Sequence, residues 1–175
     1  GEPLVVAASA TTGSPAESAG RLCGRDMTPI THDYSPHGVR TIVLAQPAVD
    51  SRITTTTIAA DLLSDVVAAG LHALAFVPSR RGVEYVALRA QETLERRSGS
   101  DSEGSPVLAY RAGFLPEERR EIERRLRDGT LRGVATTNAL ELGVDISGLD
   151  AVIICGWPGR RASFWQQAGR AGRGT

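Results

Sequence analysis

The stretch Leu71 to Val77, L-H-A-L-A-F-V, decides the fold, because it is an apolar run of strand length that Pro78 ends. The segment that follows, residues 81–97, repeats apolar positions on one face and predicts an amphipathic helix. A buried strand followed directly by a helix is the building unit of parallel α/β sheets.

The same alternation of strand and helix continues on both sides of this unit. Further strands are predicted at 4–8, 40–46, 107–110, 131–136 and 151–155, and further helices at 16–22, at 54–69 and from Pro116 onward. We therefore predict an α/β fold in three layers, a parallel sheet with helices on both faces.

Composition places the chain among globular domains of ordinary size. It has 175 residues, is 41% hydrophobic and carries no net charge. No run approaches the ~18 apolar residues of a membrane span. The two cysteines, Cys23 and Cys155, lack metal-ligand spacing, so we expect no bound metal and a cytoplasmic location, on the nucleoid if the source is bacterial.

Polar or glycine-bearing segments follow four of the predicted strands. These segments are 76–80, 110–113, 136–138 and 157–159. Because parallel strands place their carboxyl ends at one edge of a sheet, we expect the segments to form a continuous groove there. Hydroxyls, amides and arginines in such a groove suit the phosphates of a nucleic-acid strand.

Two strings near the end of the chain carry the strongest chemical signal. T-T-N-A-L-E-L-G-V-D spans 136–145, and F-W-Q-Q-A-G-R-A-G-R-G spans 164–174. In the second string, Arg170 and Arg173 stand among small residues that leave them little to pack against. An arginine that reaches a phosphoryl group stabilises the charge that develops as the terminal phosphate leaves.

The two strings, in this order and at this distance, resemble motifs V and VI of superfamily-two helicases. The span from Ser9 to Arg173 resembles the second RecA-like lobe of that superfamily. Within it, the strings at 138–146 and 157–173 look closest to the RecQ-four-like bacterial and fungal DNA helicases. Motif VI begins with Gln166 rather than histidine, which favours DNA over RNA.

The resemblance implies roles for individual residues. It implies nucleic-acid contacts by Ser79, Arg80, Arg111, Gly113, Thr137 and Asn138. It implies ATP contacts by Gly143, Asp145, Gln166 and Gly169, and catalytic arginine fingers at Arg170 and Arg173. It implies that Ser9 and Thr11, in the position of motif III, couple nucleotide state to the grip on nucleic acid.

The resemblance also implies a domain division and a missing half. Residues 1–23 correspond to a remnant of the first RecA-like lobe, 24–39 to a linker and 40–175 to the second lobe, truncated after motif VI. All twenty basic residues are arginine, so the lysine of a Walker A loop is absent. The implied partners are single-stranded DNA and the first lobe of the same protein, which would hold ATP and Mg²⁺. We therefore expect an ATP-dependent helicase in the full-length protein and no ATP turnover by this chain alone.

Three alternatives stay open at the level of the sequence. The chain could be a non-catalytic, doubly wound domain that binds anions or nucleic acid. It could be the lobe of an RNA helicase, or of an excision-repair or restriction translocase that moves on duplex without separating its strands.

Overall fold

In the computed structural model the described residues are 3–32, 34, 39–48, 52–98, 106–110, 114–141 and 148–172. The chain forms two compact units, Gly1–Pro36 and His37–Thr175. The boundary between them falls inside 24–39, the segment predicted to be a linker. None of the helices in the described ranges has the length and apolarity that a bilayer crossing requires.

The described part of the first unit has a single helix, α1 (Pro15–Cys23), which confirms the helix predicted at 16–22. Pro15 suits its first turn, and Gly24 ends it with a left-handed φ of 67°. The strand predicted at 4–8 is wrong, since Leu4 and Val6 are exposed in irregular backbone. A strand needs a hydrogen-bonded neighbour, and no described residue supplies one.

The second unit is built on a four-stranded parallel sheet. Its strands are β1 (Ala73–Phe76), β2 (Val107–Tyr110), β3 (Gly133–Thr136) and β4 (Ala151–Ile154), in the order β2-β3-β1-β4. Its helices are α2 (Thr55–Ala68), α3 (Arg80–Ser98), α4 (Pro116–Arg127) and α5 (Arg161–Ala168), with a 3₁₀ turn at Asn138–Leu140. The predicted α/β architecture is therefore confirmed.

Helices cover both faces of this sheet. In β1, Ala73 and Ala75 point to the core shared with α2 and α3, whereas Leu74 and Phe76 point to the core shared with α4. Side chains alternate along a strand, so an uninterrupted apolar run is what a strand buried on both faces requires. The connections through α3 and α4 cross the sheet in opposite directions, which is how right-handed crossovers place successive helices on opposite faces.

The start of α2 is set by its threonines. The Thr54 hydroxyl accepts a hydrogen bond from the Thr57 N–H at 3.2 Å and so caps the helix. Gly70, with φ of 81°, follows its end in a conformation that glycine adopts without steric cost. These two features explain why four consecutive threonines, which are poor helix formers, stand here without displacing the helix.

The strand predicted at 40–46 is wrong. Residues 39–48 form no hydrogen-bonded ladder with the sheet, and Ile42, Val43 and Leu44 are exposed. The segment has the composition of a strand, but β2 and β4 occupy the two edges of the described sheet and neither pairs with it. An apolar run becomes a strand only where a neighbour completes its hydrogen bonds.

Candidate nucleic-acid interface

Three of the four segments that follow the parallel strands meet at one edge of the sheet, as predicted. A groove of about 420 Å³ lies at this edge. Pro78 after β1, Thr137 and Asn138 after β3, and Trp157 after β4 contribute to its walls. The fourth predicted segment, after β2, lies mostly outside the described residues.

The sequence predicted hydroxyls, amides and arginines in this groove, and the described lining has the hydroxyls and amides but not the arginines. Glu141 is the charged residue of its described lining, and no described arginine contributes to it. The polar lining comes instead from hydroxyls and amides, those of Thr137, Ser163, Asn138 and Gln167. Arg160 and Arg161, at the start of α5, are exposed beside the groove rather than within it.

Ser79 and Arg80 connect β1 to α3 at this edge. The Ser79 hydroxyl accepts a hydrogen bond from the Gly82 N–H at 3.1 Å, so it serves as a helix cap in this state. Both side chains are exposed, and neither lines the groove. The Ser79 hydroxyl proton can still be donated to a ligand while its oxygen accepts from Gly82.

Thr137 and Asn138 lead from β3 into the 3₁₀ turn. Asn138 is exposed and Thr137 is half-buried, and both line the groove. The Thr137 side chain makes no capping hydrogen bond to the turn that it precedes. Local backbone structure therefore does not occupy this hydroxyl, and it remains available to a ligand in the groove.

The 3₁₀ turn and α5 are joined through Glu141. The Gln167 side chain donates from Nε2 to Glu141 Oε2 at 2.9 Å, and Arg170 donates from Nη2 to the Glu141 carbonyl at 2.8 Å. Gln167 and Arg170 are each only 5% exposed. The expectation that Arg170 has little to pack against is therefore wrong, because the chain turns back after α5 and buries it against the 3₁₀ turn.

Gln166 and Gly169 shape the end of α5. Gln166 is half-buried. A Cβ at Gly169 would lie 2.8 Å from the Trp165 carbonyl oxygen, closer than a side chain tolerates. The Gly169 N–H donates to that same carbonyl at 2.8 Å. Gly169 is thus required by the tight turn itself, whatever ligand approaches it.

Three aromatic side chains cluster at the wall of the groove that Trp157 lines. Trp157 stacks on Phe164 with ring centroids 5.8 Å apart and planes 25° apart, and Phe164 meets Trp165 edge to face at 5.2 Å. Trp157 and Trp165 nevertheless remain 62% and 54% exposed. Exposed aromatic rings of this kind offer flat surfaces on which a planar ligand can stack.

Arg111, Gly113, Gly143, Asp145 and Arg173 lie outside the described residues. Ser9 and Thr11 are exposed in irregular backbone of the first unit.

Sequence reasoning missed Glu141 and Gln167. One signal for Gln167 was present, since it stands three residues before Arg170 and so shares its side of the helical turn. The Arg170 N–H indeed donates to the Gln167 carbonyl. The partnership with Glu141, 26 residues earlier, left no local signal in the sequence.

A four-stranded parallel sheet with helices on both faces and a groove at the strand ends is the architecture of doubly wound α/β domains, which include the RecA-like lobe. Residues 58–175 match the family described as the helicase conserved C-terminal domain, and the chain belongs to that family.

Two relatives show which helicases of this family the chain resembles. The ATP-dependent helicase YprA of Bacillus subtilis is 38% identical over 98% of this chain and 23% of its own length. The ATP-dependent helicase HRQ1 of Saccharomyces cerevisiae is 35% identical over 96% of this chain and 16% of its own. The resemblance to RecQ-four-like bacterial and fungal helicases is thereby confirmed. This chain spans a quarter or less of the length of these relatives.

Among solved structures, the helicase MrfA in complex with DNA and AMPPNP superposes with a TM-score of 0.79. It is 37% identical, over 95% of this chain and 23% of that protein.

Proposed function

We propose that this chain is the C-terminal lobe of an ATP-dependent DNA helicase or translocase, which grips the phosphates of single-stranded DNA and supplies arginines to ATP. The groove at the strand ends carries the proposal, because Thr137 and Asn138 present a hydroxyl and an amide there. The likeness to a helicase that binds DNA and AMPPNP supports it.

The grip on DNA rests on groups that recognise phosphate rather than bases. Thr137, Asn138, Ser79 and Arg80 can each donate a hydrogen bond to a phosphate oxygen. Arg111 and Gly113, which follow β2 in the sequence, belong to the same proposed set of phosphate contacts. Contacts of this kind carry little sequence information, which suits a protein that moves along a strand.

The donor chemistry of the second string fits a nucleotide. Arg170 and Arg173 offer guanidinium groups, and Gln166 an amide, while Gly143 and Asp145 would approach the ribose side. Bound with Mg²⁺, which the first lobe would mainly hold, ATP supplies the phosphoryl group whose developing charge the arginines stabilise. Ser9 and Thr11 would relay this state to the DNA grip.

The burial of Arg170 adds a condition to this role. In the described state its Nη2 is held by the Glu141 carbonyl. To act on a phosphate, Arg170 would have to present another of its five N–H groups, or Nη2 itself, to a phosphate oxygen, and closure of the lobes would accompany this movement. The chain alone, which has no lysine for a phosphate loop, should show no ATP hydrolysis.

The DNA grip is tested by binding of a fluorescent single-stranded oligonucleotide to the purified chain. We expect affinity that falls with salt and is indifferent to base sequence, with RNA binding more weakly. Thr137→Ala should weaken binding by about 10- to 150-fold, because a hydrogen bond to a charged group contributes about 1.5–3 kcal/mol.

Thr130→Ala is the matched control. Thr130 lies before the amino end of β3, away from the groove at the carboxyl ends of the strands, and its hydroxyl contacts Asp128. If both variants bind DNA like the parent chain, Thr137 is not part of the grip. If the parent chain binds no oligonucleotide, the proposal that this lobe grips DNA is refuted.

A further inference from the structure

The groove contains a buried acceptor that its own fold leaves unused. Gln167 lines the groove and is 5% exposed, and its Nε2 is committed to Glu141. Its Oε1 is shielded from water and has no hydrogen-bond partner among the described residues. A buried carbonyl without a donor is destabilising, so a ligand that brings an N–H here gains more than it would at an exposed site.

The charge of the groove selects against phosphate at this position. Glu141 is the charged residue of the described lining, and it lies beside the Gln167 amide. An anionic ligand placed against Oε1 would face both a carbonyl oxygen and a carboxylate. The unused acceptor therefore indicates a neutral group that donates a hydrogen bond.

The walls of the groove indicate a flat ligand. Trp157 forms part of the lining, is 62% exposed and is held in orientation by its stacking on Phe164. Pro78, Ile154 and Pro158 add apolar surface. The cavity, at about 420 Å³, lies within the range of small-ligand sites. A ring that stacks on an aromatic side chain and presents an N–H at its edge has the shape and chemistry of a nucleobase.

We propose that the groove receives one base of the DNA strand, which stacks on Trp157 and donates an N–H to Gln167 Oε1. The inference rests on the proposed function, because Thr137 and Asn138 line the same groove and would hold the adjoining phosphates. Every DNA base carries an N–H on its pairing edge, so the site tolerates any sequence while requiring a base. Gln167 would then contact the DNA strand directly, and Glu141 would link that contact to the 3₁₀ turn.

The test compares two oligonucleotides of equal length, oligo-dT and an abasic strand with the same phosphates. The chain carries two tryptophans, so Trp165→Phe leaves Trp157 as the fluorescent reporter. We expect oligo-dT to quench Trp157 and to bind about tenfold more tightly than the abasic strand. The affinity of every variant is measured by the anisotropy of labelled strands, which needs no tryptophan. Gln167→Leu and Trp157→Ala should lower oligo-dT affinity to the abasic level and leave abasic binding unchanged, while Trp157→Phe should restore most of the difference.

The outcomes separate this inference from the proposed function. Equal affinity for the two strands, without quenching, would overturn the base site and leave the phosphate grip standing. Failure of both strands to bind would remove both. If AMP quenches Trp157 fluorescence, Gln167→Leu abolishes that quenching and oligo-dT does not quench, then the groove binds a nucleotide rather than a base of the DNA strand. Urea unfolding of each variant guards against a loss of binding caused by misfolding.

Discussion

Replacing Glu141 by leucine should destabilise the second unit through the amide of Gln167. Leucine fills a similar volume but accepts no hydrogen bond, so Gln167 Nε2 would be left buried without the partner that it holds at 2.9 Å. An unsatisfied buried donor costs about 1–3 kcal/mol. The Arg170 contact should survive, because its acceptor is the backbone carbonyl of Glu141.

The second substitution of the cycle, Gln167→Leu, should be nearly neutral. It removes the donor and also the Oε1 atom that already lacks a partner. The double variant should therefore be more stable than Glu141→Leu alone, with a coupling free energy on the order of 1–2 kcal/mol.

Urea unfolding followed by tryptophan fluorescence measures this cycle directly. Trp165 lies in α5 and Trp157 stacks on Phe164 of the same helix, so the signal reports on the second unit. With a slope of about 2 kcal/mol per molar urea, Glu141→Leu should lower the midpoint by roughly 0.5–1.5 M. An unchanged midpoint, or a double variant whose loss equals the sum of the single losses, would refute the link between the 3₁₀ turn and α5.

Three further predictions concern packing, a buried hydroxyl and activity. Gly133→Ala should destabilise the fold by about 1–3 kcal/mol in urea unfolding, because its Cβ would lie 2.8 Å from methyls of Val107 and Val67; Gly13→Ala, with nothing within 4 Å, is the control and should be neutral. Thr136→Val should raise the unfolding free energy by about 1 kcal/mol, since it removes a fully buried hydroxyl that has no partner among the described residues. A phosphate-release assay should detect no DNA-stimulated ATP hydrolysis by the 175-residue chain; robust turnover would contradict the need for a first lobe.

The sequence predicts those elements of the second unit whose structure depends on residues close together in the chain. The run around Ala73–Phe76, the stripe of α3 and the Pro116 start of α4 each follow from periodicity or a terminal residue, and the structure has them within a few residues of the predicted bounds. The sequence also predicts that the segments after the strands lie at one edge of the sheet, because parallel strands place their carboxyl ends together.

The sequence does not show which distant segments lie next to each other in the fold. The apolar runs at 4–8 and 40–46 have strand composition, but pairing decides whether a run becomes a strand, and no described strand pairs with either. The burial of Arg170 and the role of Glu141 depend on contacts across 26 to 29 residues. Flanking small residues made Arg170 look exposed, whereas they allow the close turn that buries it.

The central claim, that Arg170 serves ATP in a DNA motor, is tested most directly by DNA-stimulated ATP hydrolysis in the full-length protein. Arg170→Lys keeps the charge but loses the planar guanidinium, and Arg161→Lys, at an exposed position of α5, is the matched control. We expect Arg170→Lys to lower turnover on the order of 10³-fold while DNA binding and the control are unchanged. Turnover near that of the parent protein would contradict the assignment of Arg170 to ATP.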